Sequence, residues 1–217
     1  ASLKKLKTFH FHENHLFDLP RKLFGQNKRI EDINLAENNL SEWPSNPHVF
    51  EDLETLNLAG NKISLITSDF TANMLNLQVL NMSHNLIGHM TDGKITYEDF
   101  TFLAESVVVD FSFNEIKTLD LSNATAARLD RLNQIQGSQN PRPGCQLDLT
   151  GNPLTCDCWA TELKQKVEGT LTNSFKHLFT LSSHKLRCAA ASNHPDVAGK
   201  LVQEVEYRAL TCPIHGA

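Results

Sequence analysis

No cysteine precedes Cys145, no apolar run approaches membrane-spanning length, and neither sign of charge collects in a block. Each absence narrows the reading. A membrane-crossing helix needs about 20 predominantly apolar residues, so none is expected. The opening ASLKKLKTF is charged and lacks the apolar centre of a secretory leader. The chain has 20 Lys plus Arg against 25 Asp plus Glu, a formal net charge of -5, and their interspersion gives no electrostatic reason to expect a nucleic-acid partner. No Ser-His-Asp set, paired-carboxylate motif or phosphate-cradling glycine loop is present, and glycines such as Gly60 and Gly151 sit in turns. Neither enzymatic activity nor a cofactor is therefore expected. What is present suffices to fold: 40% of the 217 residues are hydrophobic, enough for a sizeable core in one domain or two small ones.

Those hydrophobic residues recur in one register, Leu-x-x-Leu-x-Leu-x-x-Asn-x-Leu. The first copy is Leu6, Phe9, Phe11, Asn14, Leu16; the second Ile30, Ile33, Leu35, Asn38, Leu40; the third Leu53, Leu56, Leu58, Asn61, Ile63. The fourth is Leu77, Leu80, Met82, Asn85, Ile87; the fifth weakens to Val109, Phe111, Asn114, Ile116; a sixth ends in Leu147, Leu149, Asn152, Leu154. The asparagines are 24, 23, 24, 29 and 38 residues apart, regular at first and then lengthened by insertions. A period of this kind is the signature of a leucine-rich-repeat solenoid.

Within each repeat the apolar alternation predicts a short strand with alternate side chains entering the core. Stacking then gives a parallel sheet. The asparagines Asn14, Asn38, Asn61, Asn85, Asn114 and Asn152 fall where the chain turns, and their amides can both donate to and accept from backbone groups of adjacent coils. Leu19-Pro20 and Trp43-Pro44 open the returning segments, and Phe24, Phe50, Phe70 and Phe100 recur as an aromatic spine on the convex side. Two stretches, 88–98 and 123–144, are read as outward-looping insertions, the second with the helix-like ATAARLDRLNQI.

After the last repeat the chain reads GNPLTCDCWATELKQKVEG, a Cys-x-Cys pair followed by a helix, suited to covering an open solenoid end. Cys156 and Cys158 are too close in sequence to bridge each other easily, which leaves Cys188 and Cys212 as partners; spacing alone does not fix the connectivity. The spacing also lacks the Cys-x-x-Cys knuckles of a structural zinc site, so no metal is expected. The resulting fold class is an α/β solenoid: a leucine-rich-repeat horseshoe segment over 1–151 with about six repeats, the last two carrying insertions. A disulfide-bonded cysteine-rich cap follows over 152–213, then a tail over 214–217.

The cap resembles the C-terminal flanking module of extracellular leucine-rich-repeat proteins, which implies the pairings Cys156–Cys188 and Cys158–Cys212 and leaves Cys145 over, read as a buried free thiol near the start of the last strand. More closely, Gln165-x-Val167-x-Gly169, Phe179-x-Leu181, Gly199-x-x-Val202 and Leu210-x-Cys212-Pro213 resemble the first C-terminal cap in insect Toll receptor ectodomains. That resemblance implies the extracellular part of a single-pass plasma-membrane receptor, dimerised by a Spätzle-type cystine-knot cytokine and signalling in innate immunity or development. Membrane attachment would then come through parts of the receptor not in this sequence. Leu6, Phe9 and Phe11 would present an uncovered core layer, so further repeats before Ala1 are expected. The alternatives are an adhesion or matrix protein on the same scaffold, or a secreted decoy.

The candidate ligand-facing residues follow from the outward strand positions: His10, His12, Asp32, Asn34, Asn57, His84, Asp110 and Phe113. The row is polar and mildly acidic with few aromatics, poor in the anchors that dominate protein interfaces. His10 and His12, with His84, are the residues a metal or acid-sensing cluster would use, but ordinary solvated histidine is the preferred reading. Three sequons, Asn39-Leu-Ser, Asn81-Met-Ser and Asn123-Ala-Thr, are candidate glycosylation sites, and a glycan on Asn81 would stand on the concave sheet.

Overall fold

The computed structural model describes residues 5–20, 23–24, 27, 29–43, 50–66, 70, 74, 76–88, 94–96, 108–120, 145–158, 160–170, 179–182, 185–190 and 194–210. The second insertion, Phe100, Asn123 and Cys212 lie outside these residues.

One parallel sheet runs the length of the solenoid. Its strands are β1 (Thr8–His10), β2 (Asp32–Asn34), β3 (Thr55–Asn57), β4 (Val79–Asn81), β6 (Val108–Asp110), β8 (Cys145–Asp148) and β10 (Phe179–Leu181), hydrogen-bonded in that order. The register keeps equivalent residues side by side: Phe9, Ile33, Leu56, Leu80, Val109 and Leu147 form one inward row. From Ile33 to Val109 these side chains are fully buried, as are Leu35, Leu58, Met82 and Phe111 in the next inward row. A continuous core follows, because no single repeat buries its own apolar edge.

Two smaller parallel pairs flank the sheet. The first insertion supplies β5 (Lys94–Thr96), which pairs with β7 (Thr118–Asp120), so this stretch is not loop alone. The other pair joins β9 (Leu154–Thr155) to β11 (Cys188–Ala190) beside the disulfide Cys156–Cys188, whose Cα atoms are 5.5 Å apart. Because β10 belongs to the cap, the main sheet crosses from repeats into cap without a break in hydrogen bonding. Cys158 is also disulfide-bonded.

Behind the sheet, Phe24 contacts Phe50 at 5.5 Å, Phe50 contacts Trp43 at 5.3 Å, and Trp43 contacts Phe70 at 6.4 Å between ring centroids. Trp43 therefore joins the phenylalanines in the convex spine. At the β1 end Phe9 stacks on Phe11 at 4.8 Å, and Phe11 is half-exposed.

Candidate binding surface

Strands of three residues end early for a reason visible in the hydrogen bonds. The Oδ1 atoms of Asn34, Asn57, Asn81, Asp110 and Asp148 each accept from the backbone N–H two residues on, at 2.8–3.1 Å. Each side chain folds the backbone into a local turn where the strand would otherwise continue. Asn34, Asn57 and Asp110 thus stand on the concave face as expected of outward positions, but one oxygen of each is already committed to the turn. The signal was readable: Asn-Leu-Ala twice, then Asn-Met-Ser, Asp-Phe-Ser and Asp-Leu-Thr.

Next comes a column of left-handed residues. Glu13, Glu37, His84 and Phe113 have φ of 54–56°, and Gly60 and Gly151 hold the same place with φ of 65° and 76°. Every one immediately precedes a ladder asparagine. His84 and Phe113, expected on outward strand positions, are instead turn residues past the ends of β4 and β6, as Glu37 is past β2, and their exposure comes from the αL backbone. Non-glycine residues in this conformation carry roughly 1–2 kcal/mol of strain, which the asparagine bonds must offset.

From Asn38 to Asn114 the asparagines do so by one pattern, which Asn152 repeats with one donated bond fewer among the described residues. Asn61 is representative: Nδ2 donates to Leu35 O at 2.9 Å, Leu58 O at 3.0 Å and Ala59 O at 3.2 Å, while Oδ1 accepts from Leu40 N at 3.0 Å. Asn38, Asn85, Asn114 and Asn152 each accept from the backbone N–H of the preceding coil at 3.0 Å, from Leu16, Ile63, Ile87 and Ile116. Asn14 is exposed, and among the described residues its Nδ2 donates within its own turn, to Phe11 O and His12 O.

The candidate ligand-facing side chains separate into two groups. On β1 and β2, His10 Nε2 lies 2.9 Å from Asp32 Oδ2, with the His12 ring 6.4 Å from that of His10. His12 lies beyond the end of β1 and is exposed. Further along, His84 stacks on Phe113 at 4.5 Å and 8° between planes, and Phe113 in turn covers the backbone of Gly151. His84 sits three strands from His10, about 14 Å at ordinary strand spacing, so it does not share a cluster with His10 and His12. Among the described residues no group of three His, Cys, Asp or Glu is placed to hold a metal, and no helix is long and apolar enough to cross a membrane. Asn39 is half-buried beside the ladder, its N–H donating to Leu16 O at 2.7 Å.

The cap holds a charged cluster that sequence reading missed. Helix α1 (Ala160–Glu168) buries Lys164, only 3% exposed, whose Nζ donates to Glu168 and to Gln203 O at 2.7 Å and lies 4.9 Å above the Tyr207 ring. The Tyr207 hydroxyl donates to Glu168 Oε2 at 2.6 Å. Bonds from Lys164 and then Tyr207 hold the Glu168 carboxyl below the usual range, and the same bond raises the Tyr207 phenol. The i, i+4 spacing of Lys164 and Glu168 was legible, but the burial was not.

Comparison with known proteins agrees with this architecture. The Leucine Rich Repeat family model matches residues 52–74. Protein toll of Drosophila melanogaster is 30% identical over 164 residues, covering 75% of this chain and 13% of that protein. A leucine-rich repeat and fibronectin type III domain-containing protein 1-like protein of Danio rerio is 32% identical over 116 residues, 52% of this chain and 16% of its own length. The chain thus spans a small part of these relatives. Among solved structures, the glycosylated Drosophila Toll–Spätzle complex matches with a TM-score of 0.76 and 24% identity over 98% of this chain and 27% of the matched one. Human trophoblast glycoprotein matches at 0.66 and 19% over 97% of this chain and 70% of its own. The chain is a leucine-rich-repeat solenoid segment closed by a cysteine cap, and it is similar to the Toll ectodomain.

Proposed function

We propose that this chain is a ligand-recognition segment of a Toll-type extracellular receptor, a rigid scaffold with no chemical turnover. The observation that carries the reading is similarity to Toll in sequence over 75% of the chain, together with the fold shared with Toll in its complex with Spätzle. Its ligand is a protein of the same class, a dimeric cystine-knot cytokine, and binding brings two receptors together. The parent is a single-pass plasma-membrane protein acting in innate immunity or development. Recognition uses the concave face at His10, Asp32, Asn34 and Asn57, where polar side chains on a preorganised sheet meet the partner with little rearrangement.

A pull-down with a purified Spätzle-type cytokine tests this, using the 217-residue chain beside a form extended by upstream repeats. Capture by either supports the receptor reading, and capture by the chain alone places recognition within residues 1–217. Capture by neither favours a second reading, an adhesion or matrix protein, which the similarity to leucine-rich-repeat and fibronectin type III proteins supports.

A further inference from the structure

Three departures from the repeat pattern coincide on β4 and β6. The first outward row reads Thr8, Asp32, Thr55, Val79, Val108 and Gln146, and only Val79 and Val108 are apolar; they pair in register and are 36% and 37% exposed. The left-handed column carries aromatic rings only at His84 and Phe113, in the same two repeats, with Phe113 50% exposed. The second outward row, His10, Asn34, Asn57, Asn81, Asp110 and Asp148, contains one sequon, at Asn81. Val79 and Val108 are neighbours, the stacked His84 and Phe113 lie past the Asn81–Asp110 pair in the same two repeats, and exposed apolar side chains gathered in this way on a polar sheet mark a candidate contact site.

We infer that an N-linked glycan on Asn81 covers this patch as part of the folded structure. Asn81 lies two residues from Val79 on the same face, about 7 Å away, and in register with Asp110 on the next strand. Its Oδ1 accepts from Ser83 N at 3.0 Å and Ser83 Oγ at 2.8 Å, while Nδ2 makes no hydrogen bond among the described residues. Substitution on Nδ2 therefore leaves the turn intact. Chemically, Nδ2 attacks the anomeric carbon of a lipid-pyrophosphate-linked oligosaccharide on the unfolded chain. The N–C bond forms, the C–O bond to pyrophosphate breaks, Nδ2 gives up a proton, and the lipid pyrophosphate leaves. After folding, the C–H face of the first sugars lies on Val79, Val108 and Phe113, and Asp110 accepts from sugar hydroxyls. The inference rests on passage through the secretory pathway, which the disulfides require in any case. It reserves this half of the concave face for sugar and leaves the His10–Asp32 half for protein.

The test uses the chain secreted from cultured insect cells. Peptide mass spectrometry reads occupancy at Asn81, and apolar-dye fluorescence with deuterium exchange over 79–84 and 108–114 reads cover. Asn81→Asp abolishes the acceptor site yet keeps the turn, as Asp110 and Asp148 do in their own repeats, and Asn39→Asp serves as control. The expected result is an occupied Asn81 in the native chain, with dye binding and exchange raised in Asn81→Asp and unchanged in Asn39→Asp. An unmodified Asn81, or an occupied one whose loss changes neither readout, overturns the inference. Neither result bears on cytokine capture, which the pull-down decides separately.

Discussion

Replacing Asn61 by alanine isolates what the asparagine ladder contributes. Of the four bonds Asn61 makes, three reach carbonyls that keep another donor: Leu35 O still accepts from Asn38, Leu58 O from Asn85, and Ala59 O from Glu37 N. Leu40 N is different, because Asn61 Oδ1 is its acceptor and the site is buried. An orphaned buried N–H costs about 2 kcal/mol, and the vacated volume adds about 1 kcal/mol. The expected loss is therefore roughly 3 kcal/mol, against less than about 1 kcal/mol for Asn14→Ala in its exposed turn. Urea titration measures the difference, and accelerated exchange of the Leu40 amide locates it. Asn61→Asp sharpens the argument, because it keeps the acceptor but faces a carboxylate with three carbonyl oxygens. Burial and those oxygens raise its folded pKa above the unfolded value. The native state then holds the proton more tightly, so this variant is most stable below the unfolded pKa and loses stability as pH rises through the folded one. Equal losses for Asn61→Ala and Asn14→Ala would refute the claim that the inter-coil N–H bond carries the ladder.

Lys164→Ala should destabilise the cap by about 2 kcal/mol, since it removes charge-assisted bonds to Glu168 and Gln203 O while Glu168 keeps its bond from Tyr207 and its access to water, and denaturation followed at helix α1 would show it. Glu168 has a lowered pKa, so its contribution is present above its unfolded value near 4.5 and is lost as pH falls through the folded value; Glu168→Gln should flatten that acid limb in thermal melts, and an unchanged limb would exclude the network as its source. Gly151→Ala places a Cβ at φ 76° against the Phe113 ring, costing about 1 kcal/mol or more and displacing that ring from His84. The proton resonances of the His84 imidazole should lose their ring-current shift. Opening Cys156–Cys188, a sequence separation of 32 residues, should cost about 4 kcal/mol in the chain-entropy account, measurable as a lower urea midpoint after Cys156→Ser with Cys188→Ser.

The repeat itself was legible, because a strand of three residues with a core on one side needs apolar residues at alternate positions, and a tight turn next to it needs a side chain like that of Asn61. Those are local demands, satisfied within one coil, so they leave a period in the sequence. The turn-forming row from Asn34 to Asp148 leaves one as well, in the small residue two places on, although outward-facing polar residues read more readily as ligand contacts. The cap is less transparent. Nothing local distinguishes Lys164 from a solvated helix residue; only packing against Gln203 and Tyr207, some 40 positions later, buries it. Likewise Val79, Asn81, Val108 and Phe113 come to lie on neighbouring coils only because β4 and β6 pair across an insertion. Sequence determined the coil, its core and its turns, since each is specified within some 24 residues; stacking decided which exposed side chains meet, since contacts between coils depend on how each loop returns the chain to the sheet.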